Sequence, residues 1–285
     1  MECLINDLPI YYEEYGHGKP VLCLHGFPEN HLSMKGCVEP FFQNISGYRR
    51  IYLDMPGMGK TPGRDWVKNA DIMLDTLKKF VDKVIGDESF LLIGFSYGGY
   101  MALGMAYDSN IKIDGVFLIA PVTVAVHGER KLPNSEESFI EEGLKESISD
   151  EDMDDFDDFF LEDVRVATME TWQRYKNEIL PVYKMGADGT LPAWNTDFCK
   201  SYRNGFGLSF ESQFKSLQFA KPMTVLAGRL DNSTGYEDPW NILNHLPHLT
   251  FVVLDGIGHN IQIENVDAFN FHMQDWLKRI KRPNP

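Results

Sequence analysis

Short apolar runs alternate with longer segments of mixed polarity along most of this chain. Runs near residues 8–15, 20–25, 48–53, 89–94 and 113–119, and later Pro222 to Ala227 and Thr250 to Leu254, have the length and bounded character of strands. The first alternates in polarity until Glu13 and Glu14 break the pattern. Residues 66–85 carry apolar side chains at helical spacing, Tyr100 to Tyr107 is helix-like, and Glu264 to Ile280 predicts a final packing helix. Helices alternating with short apolar strands predict an α/β protein with a mostly parallel sheet covered on both faces. The alternation stops at Pro121, and from about 122 to 216 the chain is polar, aromatic and helix-like. The expected organisation is one core domain, residues 1–121 and 217–285, interrupted by a helical insertion, residues 122–216, between the sixth and seventh strands. No internal repeat or low-complexity tail is present.

Candidate chemistry gathers where these strands end. Gly94-Phe95-Ser96-Tyr97-Gly98 follows an apolar strand and leads into a helix. A strand that turns sharply into a helix at a serine holds it in a strained conformation, and glycines two residues either side let strand and helix approach. The hydroxyl then projects near a helix N-terminus, where developing negative charge is favoured. A serine hydroxyl is a weak nucleophile at neutral pH and needs a base within reach. Two further strands end in Gly228-Arg229-Leu230-Asp231 and Gly256-Ile257-Gly258-His259-Asn260. His259 suits the base because an imidazole titrates near working pH, and Asp231 would fix its tautomer. The order Ser, Asp, His matches that expected of a nucleophile-elbow architecture. Asp255 and Asp238 compete with Asp231, whereas His17, His31, His127, His245, His248 and His272 lack a matching strand-to-glycine context. A fourth strand ends in His25-Gly26-Phe27-Pro28. The N–H groups of Phe27 and Tyr97 would then be the two donors that acyl transfer needs for its oxyanion. His25 would brace this loop, and His25, Phe27 and Tyr97 are candidates for the pocket wall.

With these motifs the chain resembles the α/β-hydrolase superfamily, in its serine-nucleophile branch, over nearly the whole length. Asp54-Met55-Pro56-Gly57-Met58-Gly59-Lys60-Thr61 adds a further match, similar to the D-x-P-G-x-G turn after the fourth strand of many members. Its ending echoes a phosphate-binding loop, but that loop requires glycine where Asp54 stands, so nucleotide binding is rejected. The resemblance implies that residues 122–216 form a cap over the active site. Epoxide hydrolases and haloalkane dehalogenases share H-G-x-P loops but use aspartate as nucleophile, so Ser96 argues against both.

Charge changes the picture next. From Glu136 to Asp163 there are fourteen acids against one base, Lys145, which supplies nearly all of the net charge of −15. Such a block disfavours nucleic acid and anionic membranes as partners. It reads first as a solvated face; Asp150 to Asp158 lacks the glycine and terminal glutamate of a calcium loop. One or two of these acids could instead receive a substrate's amino group. Aromatic residues thread the insertion, among them Phe160, Trp172, Tyr183, Trp194, Tyr202 and Phe206, mostly as packing. No apolar run is long enough to span a membrane, no leader pattern opens the chain, and four cysteines lack paired spacing. These features predict a cytoplasmic protein with reduced thiols. Neither metal nor organic cofactor is expected, the expected partner is a small-molecule substrate, and the oligomeric state is not specified.

The resulting expectation is a serine hydrolase of a small ester or related acyl compound. Three alternatives remain open. A carbon–carbon bond hydrolase of ring-cleavage products would need a cation for a substrate carboxylate, for which Arg165, Arg174 and Arg203 are available. An iminopeptidase would use the acidic stretch. A ligand-binding receptor on the same fold would turn over slowly or not at all.

Overall fold

The computed structural model describes residues 1–135, 137–184 and 196–282. Eight strands form one sheet: β1 (Glu2–Ile5), β2 (Leu8–Gly16), β3 (Lys19–Leu24), β4 (Tyr48–Leu53), β5 (Phe90–Phe95), β6 (Ile113–Ile119), β7 (Met223–Gly228) and β8 (Leu249–Leu254). Their spatial order is β1-β2-β4-β3-β5-β6-β7-β8. Pairing is parallel from β4 onward, while β2 runs antiparallel to both β1 and β4. β1 is the strand that run-counting passes over. It is only four residues long, buries alternate side chains and is tied to β2 by register from Glu2↔Tyr11 to Ile5↔Leu8.

Side chains alternate between the two faces of the sheet, which explains why the central strands read as continuous apolar runs. Leu22 and Leu24 of β3 join one core, with Leu92 of β5, and Val21, Cys23, Leu91 and Ile93 join the other. The first core is closed by α2 (Ala70–Val84) and α3 (Tyr97–Tyr107), and the second by α1 (His31–Phe42) and α4 (Val266–Ile280). Asparagine side chains cap three of these helices: Asn30 accepts from Leu32 N–H, Asn69 from Ile72 N–H and Asn265 from Ala268 N–H. The cap at Asn265 starts α4 at Val266, two residues after the expected Glu264, which instead ends a separate short turn, Ile261–Glu264. All four cysteines are free and buried.

The chain between β6 and β7 divides by packing. Residues 137–184 carry their own apolar cluster, centred on Phe156, Phe160, Trp172 and Tyr175. The helix Met169–Glu178 and a two-residue parallel ladder, Phe139–Ile140 with Val166–Ala167, frame it. In residues 196–217, by contrast, Cys199, Tyr202, Leu208, Phe214 and Leu217 belong to the main core. Glu136 and Trp194, singled out above, lie outside the described residues.

Candidate functional site

Ser96 sits between the end of β5 and the start of α3 with φ 51° and ψ −115°. That is a strained left-handed backbone for a residue with a Cβ. The neighbouring glycines make it possible. A Cβ at Gly98 would run into the carbonyl oxygens of Leu24 and His25, and one at Gly94 would lie 2.6 Å from Gly98 O. The elbow is tied down from outside: Ser96 N–H donates to Ile119 O at 2.9 Å, and Ser96 O accepts from Val122 N–H at 3.0 Å.

The loops carrying Asp231 and His259 interlock by the same device. Gly228 faces the Ile257 and Gly258 carbonyls so closely that no side chain fits, and Leu230 N–H donates to Ile257 O at 2.9 Å. His259 Nδ1 lies 2.9 Å from Asp231 Oδ2. Asp231 is fully buried, yet each oxygen is satisfied: Oδ1 accepts from Ser233 and Thr234 N–H at 2.8 and 3.0 Å, and Oδ2 also accepts from the Thr234 hydroxyl at 2.6 Å. Burial alone would raise its pKa, but His259 and the Thr234 donors outweigh burial and hold it at about 2. His259 is shifted the other way: burial pulls it down, and Asp231 together with Glu29 and Asp163 raises it above the ordinary 6.5. Asp255 is not the partner; it is exposed and lies 3.8 Å from Arg229. Asp238 instead accepts from Lys131 N–H at 2.7 Å.

The structure thus brings Asp231 and His259 together and sets the His259 ring against Phe95, with centroids 4.9 Å apart, one residue from Ser96. Asp231 occupies Nδ1 and leaves Nε2 of His259 without a protein partner among the described residues. Ser96 Oγ and His259 do not share a hydrogen bond, a contact that in resting hydrolases is commonly long and tightens with substrate. Neither Phe27 N–H nor Tyr97 N–H donates to a protein acceptor among the described residues.

A cavity of about 520 Å³ opens beside the elbow, lined by Ser96, Phe27, Tyr97, Phe206, Arg130 and Arg203 among others. Its size falls within the range of small-molecule sites. Phe27 packs edge-on against Tyr97 and Phe206, and Tyr97 Oη lies 2.6 Å from Tyr202 Oη. His25 does not line this cavity, which corrects its place among the pocket candidates. It is fully buried, its Nδ1 donates to Gly26 O at 2.7 Å and its Nε2 accepts from Met55 N–H at 2.9 Å. Burial lowers its pKa to about 4, so it is a neutral brace between the loop after β3 and the turn after β4. That turn is closed by Asp54, which accepts from His31 N–H at 2.7 Å and Lys60 N–H at 2.8 Å. Of Arg165, Arg174 and Arg203, the arginines weighed above for a substrate carboxylate, Arg203 lines the cavity; Arg174 pairs with Glu178 at 2.9 Å. Among the described residues no group of three His, Cys, Asp or Glu side chains is arranged to hold a metal ion.

Four carboxylate and cation contributions were not individually visible from sequence. Glu29 is buried under Gly26 N–H at 3.2 Å and faces His259. Asp163, one of fourteen acids in its stretch, turns inward and accepts from Tyr175 Oη at 2.6 Å and from Tyr183. Arg130, far from any motif, donates to the carbonyls of Val124, Ala125 and Ser233. Glu264, 8% exposed, accepts from the N–H groups of Arg165, Val166, Gly258 and Asn260 at 2.8, 3.1, 3.1 and 3.2 Å. Its one sequence signal is an acid in a first helical turn after a histidine.

Comparison with known proteins agrees with this architecture. A solved alpha/beta superfamily hydrolase from Oenococcus oeni PSU-1 is similar at 30% identity and TM-score 0.85, over 96% of this chain and 97% of that one. A pimeloyl-[acyl-carrier protein] methyl ester esterase of Legionella pneumophila (strain Corby) is 22% identical over 275 residues, 94% of this chain and 99% of the relative. A proline iminopeptidase of Xylella fastidiosa (strain 9a5c) is 23% identical over 305 aligned positions, 93% of this chain and 92% of the relative. A family model described as the alpha/beta hydrolase fold matches residues 19–266, and the chain belongs to that family.

Proposed function

We propose that this protein is a serine hydrolase that cleaves a small ester through an acyl-enzyme. Hydrolase chemistry is supported by the family and by relatives named as esterases and peptidases. One observation carries the finer reading: a strained Ser96 on the wall of a ligand-sized cavity, next to a His259 whose Nδ1 is held by a buried, ionised Asp231. Ser96 Oγ attacks the ester carbonyl while His259 Nε2 takes its proton. The developing oxyanion is received by the unpartnered N–H groups of Phe27 and Tyr97. His259 returns the proton to the leaving alcohol, then draws one from the water that hydrolyses the acyl-enzyme. Residues 122–216 act as the cap, roofing the cavity with Arg203 and Phe206. The iminopeptidase reading is less favoured because the inward-facing acid, Asp163, is already engaged by two tyrosine hydroxyls.

The test combines a fluorophosphonate probe, with peptide mapping, and a short-chain p-nitrophenyl ester assay. Labelling at Ser96 with ester turnover is expected, and Ser96→Ala should abolish labelling and lower kcat by at least ~10³-fold. An unlabelled, inactive but folded protein would favour the receptor reading.

A further inference from the structure

The charge lining the Ser96 cavity runs against the charge of the chain. The protein carries a net charge of −15, yet this wall carries two arginines, Arg130 and Arg203, beside His127, and no carboxylate. Six of the other eight arginines, Arg49, Arg50, Arg64, Arg174, Arg229 and Arg279, each sit against a carboxylate. Among the described residues neither cavity arginine has such a partner. Arg130 spends its donors on three backbone carbonyls, which fix the guanidinium, and the carboxylates of Asp231, Glu211 and Asp238 act on its charge from a distance without a direct ion pair. The Arg203 guanidinium makes no hydrogen bond among the described residues; it lies 5.6 Å from the centroid of the Phe27 ring. It stands over that ring within cation–π range, with its donor edge uncommitted. Phe27 is also the residue whose N–H faces the proposed oxyanion, so this cation stands one aromatic ring from the reacting carbonyl. Asn204 and Ser233 add neutral polar groups to the same wall.

We propose that Arg203, backed by the charge of Arg130, forms a subsite for a carboxylate carried on the substrate, so that the preferred substrate is the monoester of a short dicarboxylic acid. This rests on the serine-hydrolase reading and narrows its substrate class. A planar guanidinium meets a carboxylate through two parallel N–H···O bonds, a geometry that an ammonium does not supply. The apolar walls made by Phe27, Tyr97 and Phe206 receive the methylenes between the two ends.

The experiment compares mono-p-nitrophenyl glutarate with p-nitrophenyl valerate, which share a leaving group and chain length but differ in the terminal carboxylate. The wild type should prefer the glutarate ester at least ~10-fold in kcat/KM, mainly through KM. Arg203→Gln should erase most of that ratio and Arg203→Lys restore only part of it, whereas the remote Arg64→Gln should keep it. Equal rates on both esters in the wild type, or an unchanged ratio in Arg203→Gln, would overturn the subsite. A third ester with a terminal phosphate in place of the carboxylate, if preferred tenfold over the glutarate, would overturn the carboxylate assignment. Should no ester turn over and Ser96 resist labelling, the hydrolase reading is what has failed. The subsite is then decided by binding: monomethyl glutarate should raise the melting temperature more than dimethyl glutarate does, and Arg203→Gln should remove the difference. Equal shifts would reject it.

Discussion

The two strand ends that meet at the candidate site are built by different physics. The serine corner is steric. Its glycines let backbone carbonyls pass close to one another, its strain sits in one residue, and no ionisable partner holds it. The acid–histidine corner shares one such close approach, at Gly228, but what sets it apart is electrostatic. Asp231 and Glu264 are both buried carboxylates saturated with donors, and removing those donors would leave charge stranded in the core. A steric corner fails by not forming, whereas an electrostatic corner can form and still be wrong in protonation or orientation.

The first way to sharpen that contrast is Gly98→Val. Its Cβ would meet main-chain carbonyls that have nowhere to go, so the expected result is a loss of about 4 kcal/mol or more, seen as insoluble protein or a collapsed Tm. A folded variant with the parent Tm would refute the steric account. Asp231→Asn tests the other corner and should behave oppositely. The protein should remain folded while kcat falls about 10⁴-fold through the wrong tautomer, and Asp255→Asn should leave kcat nearly unchanged. If Asp231→Asn keeps full activity, the acid has been misassigned.

Glu264→Gln should cost less, about 2 kcal/mol, because the amide presents donors to backbone N–H groups that need acceptors. For a chain of this size that corresponds to a Tm lower by about 5 °C. An unchanged Tm would show that the buried charge contributes nothing there. The smallest effect is in the pH response. His259 must be neutral to act as base, so kcat/KM should fall as pH drops through an apparent pKa above 6.5. For stability the sign at Asp231 follows from its lowered pKa. Its contribution is complete above the ordinary 3.8 and is lost as pH falls toward about 2, an acid-side loss that Asp231→Asn should lack. A kcat/KM limb well below 6.5 would contradict the charge balance around His259.

This contrast also explains what could be read from the chain beforehand. Steric requirements are written in residue type: Gly94, Gly98 and Gly228 are glycines because nothing else fits, and they stand beside apolar runs that announce the strands. The alternating runs likewise made the parallel sheet legible, apart from β1, too short to show a pattern. Electrostatic requirements are not written that way. One acid among forty-two looks like any other until the chain folds. Asp163 was hidden in a run of surface acids, Glu29 behind a loop motif, and Arg130 in a stretch with no motif at all. His25 was readable as a brace of its loop, and only its place in the pocket wall is lost, because both ring nitrogens are committed to backbone.

Glu264 has one more consequence. The same carboxylate grips Arg165 and Val166 of the insertion and Gly258 and Asn260 on either side of His259. Lifting residues 137–184 away from the body therefore loosens the loop that aims the imidazole. Traffic through the cavity avoids that disturbance if it passes where Arg203 and Phe206 face Val126, leaving the clasp at Glu264 shut. The slow-exchanging amides of the protein should include all four of those N–H groups, opening as one unit, so that access and alignment are set at opposite ends of the same roof.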